Sequence, residues 1–77
     1  MSRKRIVVSG ALPARNSPAE RIAHADEDVR DLTAKMRQSI REKASEYTVT
    51  GWTLDEESYE AAKNGLTIVL SAVMTRE

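Results

Sequence analysis

His24 is the only histidine of the 77-residue chain, and it stands one helical turn after Glu20 and one turn before Asp28. A carboxylate–imidazole–carboxylate row of that spacing could hold a divalent ion weakly, but helix faces produce such rows by chance. A solvated His24 and no metal are therefore expected. Ser9-Gly10 lacks the G-x-S-x-G context of an exposed nucleophile, and neither a Walker lysine loop nor a G-x-G-x-x-G turn is present. With no acid–base pair, nucleophile or cofactor motif to place in a pocket, the chain reads as a non-enzyme that uses no cofactor.

Two other features can do recognition rather than catalysis. Arg3, Lys4 and Arg5 are consecutive, and a basic arm of this kind can contact phosphates along a nucleic-acid backbone. The same charges also protect an edge strand from pairing with other chains. Trp52 is the only tryptophan, beside two tyrosines and no phenylalanine. In an interface it would be an anchor; in a domain this poor in rings it serves equally well as a core plug.

These residues must be positioned by a few elements. Ser17, Pro18 and Glu20 supply an N-cap hydroxyl, a proline at the first helical position, and a carboxylate able to reach back to the cap's N–H. Behind them Ile22, Ala25, Val29, Leu32, Met36, Ile40, Ala44 and Tyr47 recur at three and four residues. This predicts one long amphipathic helix over about 18–46. Ile6, Val7 and Val8 predict a short strand near 4–9, with 1–3 as a flexible basic tail. Residues 47–54 alternate around a bulge at Gly51, and 66–75 alternate throughout, so both read as strands. Thr53 to Glu56 resembles a second capping box, which predicts a short helix over about 55–63 closed by Asn64-Gly65. The fold expected is α+β in a single domain: a three-stranded sheet (4–9, 47–54, 66–75) with the long helix laid across it. An all-α hairpin is the alternative, because Tyr59, Ala62, Leu66, Val69 and Val73 also keep helical spacing. It would have to run a helix through Gly65 and would leave the other two strands without a partner.

Composition narrows function by exclusion. Twelve basic and twelve acidic residues cancel, which argues against bulk-charge binding of nucleic acid. The absence of cysteine rules out disulfide staples and thiolate metal sites, so a small core would gain most from oligomerisation. The apolar start at Ile6–Val8 is interrupted by Ser9, Gly10 and Pro13, unlike a secretory signal, and the run from Leu66 to Met74 is far short of the ~20 residues that span a bilayer. A cytoplasmic protein without membrane contact is expected.

Charge along the helix is sorted, with Asp26, Glu27, Asp28 and Asp31 ahead of Lys35, Arg37, Arg41 and Lys43. Asp26–Arg30 and Asp31–Lys35 can pair within the helix. Alternatively, two copies can run antiparallel, acidic half against basic half. Length favours something outside the fold: Pro18 to Glu46 makes a rod of about 43 Å, whereas a compact globule of this size spans about 30 Å. The surface expected to meet a partner or a second copy comprises Val29, Leu32, Met36, Ile40, Asp26, Arg37, Arg41 and Trp52. The function expected is a small protein-binding module, an inhibitor or adaptor of the kind phages direct at host machinery, dimerising through its helix. The alternative is a nucleic-acid-associated protein that uses Arg3, Lys4 and Arg5 with the Lys35–Lys43 block.

Overall fold

The computed structural model describes residues 1–77 and contains β1 (Ser2–Ala11), α1 (Pro18–Ala23), α2 (Ala25–Thr48), β2 (Thr53–Asn64) and β3 (Thr67–Arg76). The strands form one antiparallel sheet in the order β1-β3-β2. The fold is α+β, and the α-hairpin alternative is not what forms. β3 takes the centre because its alternation is unbroken: Ile68, Leu70, Ala72 and Met74 all point to one face and are at most 2% exposed. Against them lie Ile6 of β1 and Met36, Ile40 and Ala44 of α2, one turn apart.

Helix initiation follows the Ser-Pro-x-Glu pattern. Ser17 Oγ accepts from the Glu20 N–H at 3.2 Å, while the Glu20 carboxylate accepts from the Asn16 N–H rather than from the cap's own, at 3.1 Å. The rod carries one defect, at His24 (φ −107°, ψ 6°), which divides it into α1 and α2. Hydrogen bonding continues around that defect, with His24 N–H to Glu20 C=O at 3.0 Å and Asp28 N–H to His24 C=O at 2.9 Å.

Four expectations are corrected. Residues 47–50 are not strand: α2 runs on to Thr48 and ends in a Schellman motif. Gly51 has φ +91°, its N–H bonds to Thr48 C=O at 3.1 Å, and the Trp52 N–H bonds to Tyr47 C=O at 3.3 Å. Gly51 is thus a helix-terminating residue and not a strand bulge. The short helix expected over 55–63 is strand β2 instead. Its helix-like signals, Asp55 and Ser58, act locally in a bulge, where Asp55 Oδ1 accepts from the Glu57 N–H at 3.0 Å and Ser58 Oγ–H donates to Asp55 C=O at 2.6 Å. Between the pairs Asp55↔Val73 and Glu60↔Ser71 the ladder is interrupted, and Ser58 Oγ accepts the Val73 N–H at 2.7 Å in place of a strand carbonyl. Lastly, Ser2 and Arg3 are no tail, since they pair with Arg76 and Thr75 in β1. Asn64-Gly65 closes a hairpin rather than a helix, with Gly65 (φ +62°) and Leu66 as the two-residue turn.

The molecule is elongated, 49 × 17 × 15 Å with a radius of gyration of 14.9 Å, against about 11–12 Å for a compact chain of this length. The excess comes from the N-terminal end of the rod. α1 has no buried residue and touches only α2, and Ile22 on it is 79% exposed.

Candidate interaction surface

The apolar stripe expected to meet a partner is covered by the protein's own sheet. Ile40 is 0% and Met36 4% exposed, and Val29 and Leu32 pack partly buried beside them. Met36 and Ile40 therefore present no free surface to a second copy while the fold is intact, whereas Val29 and Leu32 keep part of theirs. Gly10 marks how closely the layers meet: a Cβ there would lie 3.0 Å from Leu32 Cδ1 and 3.3 Å from Met36 Sδ.

The remaining expected site residues disperse. Arg37 and Arg41 lie on the flank of α2 that faces β2. Arg37 stands 5.6 Å from the Tyr59 ring, and Arg41 Nε reaches Glu56 Oε1 at 3.4 Å. That hydrogen bond to Glu56 raises the Arg41 pKa. The Tyr59 hydroxyl is buried without a hydrogen-bond partner, and desolvation, then the charge of Glu56, pushes its pKa up. Asp26 is exposed in the first turn of α2, where an acid suits the helix dipole.

Trp52 is half-buried at the end of the sheet, with Arg76 4.7 Å above its ring and Lys4 at 5.8 Å. Lys4 also lies 4.0 Å from the Tyr47 ring. Arg3, Lys4 and Arg5 do not make one patch, because successive strand residues alternate faces. Lys4 sits on the helix side with Tyr47, while Arg3 and Arg5 are on the other. Arg5 Nη1 is taken up by Ser71 Oγ at 3.3 Å and by Glu60 at 3.8 Å. Lys35 and Lys43 in turn face the β1 side of α2, opposite to Arg37 and Arg41. The expected basic surface is thus distributed around the molecule.

Nor do the carboxylates around His24 converge on it. The Asp28 carboxylate binds Arg15 through two hydrogen bonds, Arg15 Nε to Oδ2 at 3.0 Å and Arg15 Nη2 to Oδ1, and this pairing holds its carboxyl below the usual range. His24 Nδ1 lies 3.7 Å from Glu27, and no group of three potential metal-ligating side chains is assembled anywhere. The Arg15–Asp28 pair instead anchors the loop between β1 and α1 to the start of α2. No helix is long and apolar enough to cross a membrane.

What the fold leaves open is the face of the sheet away from α2. Its rows, read across β1-β3-β2, are Arg5–Val73–Asp55, Val7–Ser71–Glu60 and Ser9–Val69–Ala62. Val7 is 50% and Val69 36% exposed. An antiparallel sheet with one wet face ordinarily carries polar residues there; this one has Val69 and Val73 on its middle strand either side of Ser71, which is buried beneath the Arg5–Glu60 bridge, with Arg3 at the β1 edge and Asp55 at the β2 edge. The signal was present in the sequence, since Val69 and Val73 occupy the outward positions of an alternating strand. Without the partner strands, however, those positions are only two valines among threonines and serines.

No protein-family model, no curated protein and no solved structure matches the chain.

Proposed function

We propose that the chain is a small non-enzymatic protein-binding module that recognises its partner through the bare face of the sheet and acts by occluding that partner's surface, as an inhibitor or adaptor does. The observation that supports this is the pair of exposed valines, Val7 and Val69, on that face, with half-buried Val73 beyond the Arg5–Glu60 bridge and charged residues at both edges. An apolar centre within a polar rim is the anatomy of protein interfaces. With Arg5 and Glu60 paired to each other, Arg3 and Asp55 are the charges left to the partner, which gives it a chemistry: an apolar patch with an acidic residue where it meets Arg3 and a basic one where it meets Asp55.

The test is capture from the native host with the wild-type protein and with Val69→Glu, using Ile22→Glu on the exposed α1 as control. Expected is a captured protein that is lost with Val69→Glu and kept with Ile22→Glu. Capture that is indifferent to Val69→Glu refutes the reading. Nucleic-acid binding is the competing reading, and salt separates them: DNA or RNA binding weakens steeply with added salt, whereas an interface centred on valines changes little.

A further inference from the structure

The two edges of the sheet differ. β2 is interrupted by its bulge between Asp55 and Glu60, which is one way proteins spoil an edge for pairing. β1 pairs with β3 without a break from Ser2 to Ala11 and has neither a bulge nor a proline, its one guard being the charge of Arg3, Lys4 and Arg5 near one end. The Leu12 N–H bonds to Leu66 C=O at 2.7 Å, in register with that ladder, so the even-numbered residues of β1 direct their backbone groups to β3. The N–H and C=O of Arg3, Arg5, Val7, Ser9 and Ala11 therefore point outward, since these groups alternate sides along a strand.

We infer that β1 pairs antiparallel with β1 of a second copy about a two-fold axis at Val7, giving one continuous six-stranded sheet. The second copy is favoured as occupant by charge. Only the register centred on Val7 uses all five outward-pointing residues, making about ten new backbone hydrogen bonds. In that register Arg3 faces Ala11, Lys4 faces Gly10 and Arg5 faces Ser9 of the other copy, so every basic residue meets a small neutral one. Parallel pairing would stack the three basic residues on their own copies.

The helices agree with this. The axis pairs two identical edges with both copies of α2 on the same face. Gly10 lies under Leu32 and Met36, and Lys4 under Tyr47, so α2 runs antiparallel to β1 and the axis at Val7 passes near the level of Ile40. On the flank of α2 above the free edge, Lys35 and Asp31 line the groove at Ala11, and Glu46 and Lys43 line the groove at Lys4 to Val7. The rotation brings Lys35 of one copy level with Glu46 of the other. It also joins the two bare faces, with the Val7 residues adjacent at the centre.

The chain has no cysteine, so Val7→Cys places a single thiol per molecule. Across the axis the Cα atoms stand about 5.5 Å apart, within disulfide range. Expected are a doubled mass by sedimentation at micromolar concentration, a covalent dimer of Val7→Cys on oxidation, and no covalent dimer of Ile22→Cys. Spin labels at Arg3→Cys should report backbones about 26 Å apart. Val7→Pro removes only an outward N–H and should give a folded monomer by circular dichroism. Lys35→Glu and Glu46→Lys should each weaken association, and their combination should restore it, which guards against misfolding of any one variant. A wild-type monomer, or a dimer that Val7→Pro leaves intact, overturns the inference. Val69→Glu lies one strand in from the edge, so loss of partner capture and loss of self-association are read from different variants.

Discussion

Ile40→Ala distinguishes a core stripe on α2 from an interface stripe. Ile40 is fully buried between α2 and the sheet, in a cluster with Met36, Ala44 and the inward residues of β3. Truncating such a side chain costs about 2–5 kcal/mol, the transfer loss plus the cavity left behind. A chain of this length has a total stability of roughly 4–12 kcal/mol, so the loss is a large share of it. With an unfolding entropy of about 0.16 kcal/mol/K for this length, a change of about 3 kcal/mol lowers Tm by about 18 °C. Ile22→Ala, on exposed α1, should move it by no more than about 3 °C, the equivalent of about 0.5 kcal/mol. The assay is thermal unfolding by circular dichroism at low and at high micromolar concentration. For a core residue the loss is the same at both, whereas for a seam residue it appears chiefly where the wild type is associated. An Ile40→Ala protein that melts with the wild type under dilute conditions would refute the placement of α2.

Other outcomes follow from local geometry. Asp28 has a folded pKa below its ordinary 3.8 because of Arg15, so the unfolded chain binds more protons in that window and stability rises with pH there. The contribution is fully present above the ordinary carboxylate range and is lost as pH falls through the lower folded value; Arg15→Ala should flatten the acid limb of a Tm-against-pH curve, and an unchanged limb counts against the pair. Ser58→Ala deprives the Val73 N–H of its acceptor, at a cost of about 1–3 kcal/mol, and should speed amide exchange at Val73 selectively. Arg76→Ala removes the cation above the only tryptophan, so Trp52 fluorescence should shift while stability falls by about 0.5–1 kcal/mol.

The capped start of the rod and the alternating β3 were legible because each is a local pattern with a local cause. The segment 53–64 was not: Asp55 and Ser58 do make turn-like hydrogen bonds, to the Glu57 N–H and the Asp55 C=O, but within a bulge whose pairing with β3 overrides them. Tyr47 to Thr50 read as strand from its β-branched residues, and the Gly51 termination that keeps Tyr47 and Thr48 in the helix and Val49 and Thr50 in its closing turn depends on a left-handed conformation that sequence alone assigned to a bulge. The rod's overhang was legible from length, while the burial of its apolar stripe was not, because amphipathicity states that a face is covered and not by what. The valine face needed all three strands in register before it existed as a surface.

The most direct test of the bare face is the solvent exposure of its methyl groups, measured by NMR with a soluble paramagnetic probe, alone and in complex with the captured partner. Val69 and Val73 should lose their relaxation enhancement on binding, while Ile22 and Val49 keep theirs. Protection of Ile22 or of the outer face of α2, with Val69 and Val73 still open to the probe, would contradict it.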